Sequence, residues 1–177
     1  MTINVQFVYG AGSDALFGGG LRQLQADVAA KFKTMNPRPD VYLPRILDYT
    51  ELDTLDRLVS KWNDPTILVG HSCGCMSITR TALKNSMKRI PFLMAIAPSI
   101  YCPVVPIANN VKRATQATSW WGDFFNPGGR TLLSKTAANN VTKLDVINTG
   151  LGHVQAPYSP AVSARLLNEI SLALEGK

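Results

Sequence analysis

The chain has 177 residues, 46% of them hydrophobic and 17% charged, a balance that predicts one globular domain over residues 1–177 with a real core. No run of about 18 apolar residues occurs, so no integral membrane segment is expected. The net charge of +6 is spread thinly, with Lys88-Arg89 and Lys112-Arg113 as adjacent basic pairs. Without a basic arm or a recognition helix, nucleic acid is not an expected partner.

The chain moves directly into the apolar run Ile3-Asn4-Val5-Gln6-Phe7-Val8, without the basic start and long apolar stretch of a signal peptide, which leads us to expect a cytoplasmic protein. Val5–Tyr9 is the first predicted strand and ends in the glycine-containing loop Tyr9-Gly10-Ala11-Gly12-Ser13. That loop lacks the third glycine of a dinucleotide fingerprint, and the chain has no Gly-Lys-Ser/Thr, so no nucleotide cofactor is expected. A helix over Leu21–Phe32 and a strand over Val41–Leu47 follow. Thr50 and Asp53 then read as a capping box for a helix over Leu52–Trp62, whose apolar stripe is Leu52, Leu55, Leu58, Val59 and Trp62.

The strand Thr66–Val69 runs straight into Gly70-His71-Ser72-Cys73-Gly74, and a helix over Gly74–Lys84 follows. This is a G-x-S-x-G pattern in the setting that gives it mechanical meaning. A buried strand ends, the chain turns sharply, and a serine oxygen is held up at the edge of a sheet. Cys73, Cys75 and Cys102 are an odd count and do not suggest a disulfide framework. With His71 they do not converge on one metal ion either, so we expect packing residues and no metal.

A strand over Phe92–Ala97 leads into a loop at Pro98–Asn110, broken by three prolines and too short for a lid domain. The remaining elements are strands at Gln116–Trp120 and Leu144–Asn148 and helices at Thr131–Ala138 and Ala161–Leu174, the last one starting from Ser159-Pro160. Alternating strands and helices predict an α/β three-layer sandwich: a six-stranded, mostly parallel sheet with helices on both faces.

A serine needs a base to take its proton, and the base needs an acid to orient it. The chain has two histidines; His71 is locked inside the turn itself, which leaves His153 in Thr149-Gly150-Leu151-Gly152-His153, just after the last predicted strand. Between Ser72 and His153 the acids are Asp123 and Asp145. Asp145 lies inside its strand, about 10 Å upstream of the carboxyl end. Asp123 follows a strand, in the turn Gly122-Asp123-Phe124-Phe125-Asn126-Pro127, where open parallel sheets build their sites. The amides of Cys73 and Ala11 are the expected oxyanion donors. Trp121, Phe125, Leu151 and Val154 flank the acid and the histidine and are the expected substrate-binding residues.

Together these features resemble the α/β-hydrolase superfamily: a glycine loop after the first strand, G-H-S-x-G, the acid turn, and G-x-G-H near the end. In length and in lacking a cap the chain is similar to the small lidless bacterial lipases and esterases. The resemblance implies a minimal hydrolase fold of six central strands, with Ser72 as nucleophile, His153 as general base and acid, and Asp123 as its orienter. It implies a small-molecule acyl ester as substrate and no cofactor. Tyr9-Gly10 stands where many relatives have His-Gly. Thioesterase, amidase and acyltransferase chemistry, or a non-catalytic interaction role on the same scaffold, remain open alternatives.

Overall fold

A computed structural model describes residues 2–10, 19–36, 39–135 and 142–176. In chain order it contains β1 (Thr2–Tyr9), α1 (Gly19–Lys33), β2 (Asp40–Tyr42), β3 (Leu47–Asp48), α2 (Leu52–Lys61) and β4 (Thr66–His71). There follow α3 (Gly74–Lys84), β5 (Ile90–Ile96), β6 (Val111–Thr118), β7 (Lys143–Asn148), a short 3-10 turn at Ala156–Tyr158, and α4 (Pro160–Leu174).

The strands form one sheet in the order β2-β1-β4-β5-β6-β7, with β3 also paired to β1. Every pairing is parallel. β1, β4 and β5 are buried almost throughout, which is why their sequences read as continuous apolar runs. Successive side chains enter opposite faces. Ile3, Val5 and Phe7 of β1 with Ile67 and Val69 of β4 pack against α1 and α4. Val8 and Leu68 pack against Leu55 and Val59 of α2 and Ile78 and Ala82 of α3. The expected sandwich with helices on both faces is the architecture found.

Three local expectations need correction. The single strand predicted at Val41–Leu47 is two short strands on the same edge of β1: Thr2 pairs with Asp40, and Val8 with Leu47. Pro44 lies between them and has no N–H to continue a ladder. The side chains of Gln25 and Gln6 donate instead to the carbonyls of Pro44 and Arg45. Among the described residues the sheet therefore has seven strand segments in six positions.

Thr50 does not cap α2. Its hydroxyl and N–H both go to Asp48 Oδ1, at 2.6 and 2.9 Å, and Glu51 occupies the N-cap position. The Asp48 side chain closes its own turn before the helix starts, and that local bond wins.

The helix expected at Thr131–Ala138 is absent over 131–135, while 136–138 fall outside the described residues. Gln116, buried in β6, explains this. Its Oε1 accepts the N–H groups of Leu132 and Leu133, and its Nε2 donates to the Arg130 carbonyl. These bonds hold the segment open against its propensity. No helix among the described residues is long and apolar enough to cross a membrane.

Candidate active site

The site is built where β4, β6 and β7 end. At the end of β4 the chain reverses on Ser72, whose φ is +55, a left-handed conformation that only a surrounding scaffold maintains in a non-glycine residue. The Ser72 N–H is held by the Ile96 carbonyl of β5 at 3.0 Å, and the Cys75 N–H bonds the Ser72 carbonyl at 3.1 Å. The flanking glycines are required by space. A Cβ at Gly70 would come within 2.7 Å of the Gly74 carbonyl group, and one at Gly74 within 2.3 Å of the Val8 carbonyl oxygen. α3 starts at once, with Cys73 as its N-cap residue, so the Cys73 amide stands at the positive end of the helix.

Asp123 is buried in the turn after β6. Its Oδ2 accepts from the Ser119 hydroxyl and from His153 Nδ1, the latter at 2.8 Å, and its Oδ1 accepts the Phe125 N–H at 2.8 Å. Burial works to raise the carboxyl group's pKa, but the bonds from Ser119 and Phe125 and the nearby His153 outweigh it and hold it below the ordinary range. A carboxylate facing Nδ1 requires the proton to sit there, so the lone pair is on Nε2. His153 Nε2 is buried and has no hydrogen-bond partner among the described residues. Burial lowers the imidazole's pKa below its usual value, with the Asp123 charge pulling the other way.

The loops that carry these two groups are joined by their backbones. The Trp120 N–H bonds the Leu151 carbonyl at 2.6 Å, and the Thr149 N–H bonds the Thr118 carbonyl at 3.0 Å. Phe125 also stacks obliquely on the His153 ring, with centroids 4.5 Å apart. Asp145, by contrast, faces outward and pairs with Arg165 on the surface.

His71 proves to be more than a turn residue. It is buried, lies with its ring centroid 5.2 Å from that of His153, and donates from Nε2 to the His153 carbonyl oxygen at 2.9 Å. Burial brings its pKa down to about 4, so the ring is neutral and acts as a fixed prop beneath the histidine loop.

Ser72 and His153 line one cavity of about 200 Å³, shared with His71, Cys73, Phe125 and Val154. The other walls are Tyr49, Ser99, Tyr101 and Cys102. Of the expected substrate-binding residues, Phe125 and Val154 are in place. Trp121 and Leu151 do not line the cavity: the Trp121 side chain is 71% exposed on the outer side of the turn, and Leu151 contributes its carbonyl to the loop clasp. Ala11 lies outside the described residues. Gly10 beside it approaches so closely that a Cβ there would stand 2.8 Å from Ser72 Oγ and 2.9 Å from the Cys73 nitrogen.

The expectation that the cysteines are packing thiols holds for Cys75, which is buried and free. It fails for Cys73 and Cys102, which form a disulfide with Cα atoms 5.0 Å apart. Twenty-nine residues separate them, and the chain brings them together only because the loop after β5 folds back over the start of α3.

Comparison with solved structures matches the fold over nearly the whole chain. Est1E from Butyrivibrio proteoclasticus superposes with a TM-score of 0.61 at 13% identity, covering 95% of this chain and 88% of the other. A protein of Xanthomonas campestris pv. campestris, described as a hydrolase of the alpha/beta superfamily, gives 0.56 at 17%, covering 95% and 98%. This chain has the α/β-hydrolase fold. The pyrethroid hydrolase PytH shares that fold, at a TM-score of 0.59 and 10% identity over 97% of this chain and 98% of its own. No protein-family model and no curated protein matches the sequence. Within an α/β-hydrolase fold, the Ser72–His153–Asp123 grouping falls at the carboxyl ends of the strands, where open parallel sheets carry their chemistry.

Proposed function

We propose that this chain is a serine hydrolase that cleaves carboxylic esters through an acyl-enzyme. The observation that carries the reading is the oriented His153: Nδ1 is fixed on Asp123 at 2.8 Å, while Nε2 is buried without a partner in the walls of the cavity that holds Ser72. In this reading Nε2 takes the Ser72 hydroxyl proton as Oγ attacks the acyl carbon. The developing oxyanion meets the Cys73 N–H and an amide of the loop at Ala11. The imidazolium, steadied by Asp123, then protonates the leaving alcohol, and a water molecule repeats the sequence to free the acid.

The cavity walls favour an apolar acyl group, since the lining is mostly apolar and includes Phe125, Val154, Tyr101 and Tyr49. Outside it, Phe124 and Trp121 are each 71% exposed, an aromatic rim on which the rest of an apolar ester can rest. The fold likeness to hydrolases, PytH among them, supports the class of reaction. The Cys73–Cys102 disulfide favours an oxidising compartment over the cytoplasm expected from the N-terminal sequence.

The test is covalent labelling by a fluorophosphonate probe together with turnover of nitrophenyl esters. Ser72→Ala is expected to abolish labelling and to lower turnover by about 10⁴-fold or more. Ester cleavage that survives unchanged in that variant would overturn the proposal.

A further inference from the structure

We propose that the Cys73–Cys102 disulfide sets the size limit of the acyl pocket by clamping residues 99–102 in place as its removable wall. This rests on the hydrolase reading above and concerns the same cavity. Ser99, Tyr101 and Cys102 all line that cavity, together with Phe125 and His153. The strap they form has neither helix nor strand to stiffen it. Two of its bonds are internal: the Tyr101 N–H to Ser99 Oγ at 3.2 Å and the Cys102 N–H to the Ser99 carbonyl at 3.3 Å. Among the described residues, its polar and covalent ties outward are the Ile100 N–H to the Phe125 carbonyl, at 2.9 Å, and the disulfide. Tyr101 is a weak anchor, being 59% exposed with its ring against the more exposed Phe124 and edge-on to Phe125.

The reacting groups do not depend on this bond in the same way. Ser72 is held by backbone bonds to Ile96 and Cys75, and His153 by Asp123 and His71. Opening the disulfide therefore frees the wall and leaves the nucleophile and base in position. A wall that can swing away admits a bulky acyl group that the clamped pocket excludes, while an acetyl group needs no such room. The disulfide is thus a specificity determinant, and Cys102 a positioning residue acting through Cys73 and Tyr101.

The experiment compares kcat/KM for nitrophenyl acetate and nitrophenyl cyclohexanecarboxylate before and after treatment of the native enzyme with dithiothreitol. The reagent's two thiols pass two electrons and two protons to the sulfur–sulfur bond and close to a cyclic disulfide. Completion is read as a rise from one free thiol to three in denaturant. The bulky-to-acetyl ratio is expected to rise about tenfold, the scale on which pocket size discriminates. Cys102→Ser is expected to show the raised ratio without reductant and no further response to it; if that variant fails to fold, reduction of the native enzyme decides alone. An unchanged ratio in the fully reduced enzyme overturns the proposal, and so does a parallel loss of both activities with loss of fluorophosphonate labelling, which would mean that the bond holds the reacting groups. Failure of the untreated enzyme to label at Ser72 overturns the hydrolase reading and this inference with it, whereas labelling with an unchanged ratio overturns this inference alone.

Discussion

His71→Gln isolates the consequence of burying a neutral imidazole beneath the site. In the folded chain His71 titrates at about 4 against an ordinary value of 6.5. Below pH 6.5 the unfolded chain binds a proton that the folded chain refuses. The stability this residue supports is therefore complete above pH 6.5 and is lost progressively as the pH falls to about 4. Integrating that difference between pH 7 and pH 4.5 gives about 2 kcal/mol of stability lost through this group alone. Glutamine does not titrate, and its amide nitrogen can reach the position from which Nε2 donates to the His153 carbonyl. Urea unfolding at the two pH values and constant ionic strength, extrapolated to water, measures the loss for each chain. The wild type is expected to lose about 2 kcal/mol more than the variant, whatever the variant's stability at neutral pH. Equal losses in the two chains would refute the reasoning, because the remaining acids and His153 are common to both.

The same burial argument applies to His153, whose lowered pKa keeps the ring unprotonated into mildly acid solution. The acid limb of a kcat/KM profile for nitrophenyl acetate should have its midpoint below pH 6.5; a midpoint above it would mean that a solvated or differently paired base is at work. Asp123→Asn should leave melting little changed but lower kcat by about 10⁴-fold, since an amide can hold the ring in the wrong tautomer. Gly10→Ala places a methyl 2.4 Å from the Ser72 Cβ, so it should slow fluorophosphonate labelling severely. Differential scanning fluorimetry should record a melting change corresponding to no more than about 1–3 kcal/mol of overpacking.

What the sequence made legible is the geometry that depends on local order. Gly70 and Gly74 around Ser72 are demanded by backbone contacts within a few residues or with the adjacent strand, so the turn carries its own signature. Asp123 could be separated from Asp145 because strand position alone tells which carboxylate reaches the carboxyl end; the first bonds His153 and the second Arg165. Non-local effects were hidden. The Cys73–Cys102 pairing depends on how the loop after β5 lies over α3, which no spacing encodes. Tyr49, Ser99 and Tyr101 enter the cavity from segments whose sequences carry no catalytic pattern. The failed helix at Thr131 records one buried glutamine capturing a passing backbone, a contact between residues 16 and 17 apart. Pro44 did carry a visible warning against one continuous strand at 41–47.

Among the described residues β7 ends the sheet, bonded on one side to β6 alone, and its residues are mostly exposed. His153 follows five residues beyond it, held to the Asp123 turn through the Trp120–Leu151 and Thr118–Thr149 backbone bonds. His153 is therefore mounted on the margin of the sheet, whereas Ser72 is mounted on β4 near its centre. Margins open with less free energy than centres. Local opening of that margin separates Asp123 and His153 from a serine turn that is still fully folded, so the proposed catalytic grouping and the domain have two different stabilities, and on the hydrolase reading the smaller one governs the working lifetime.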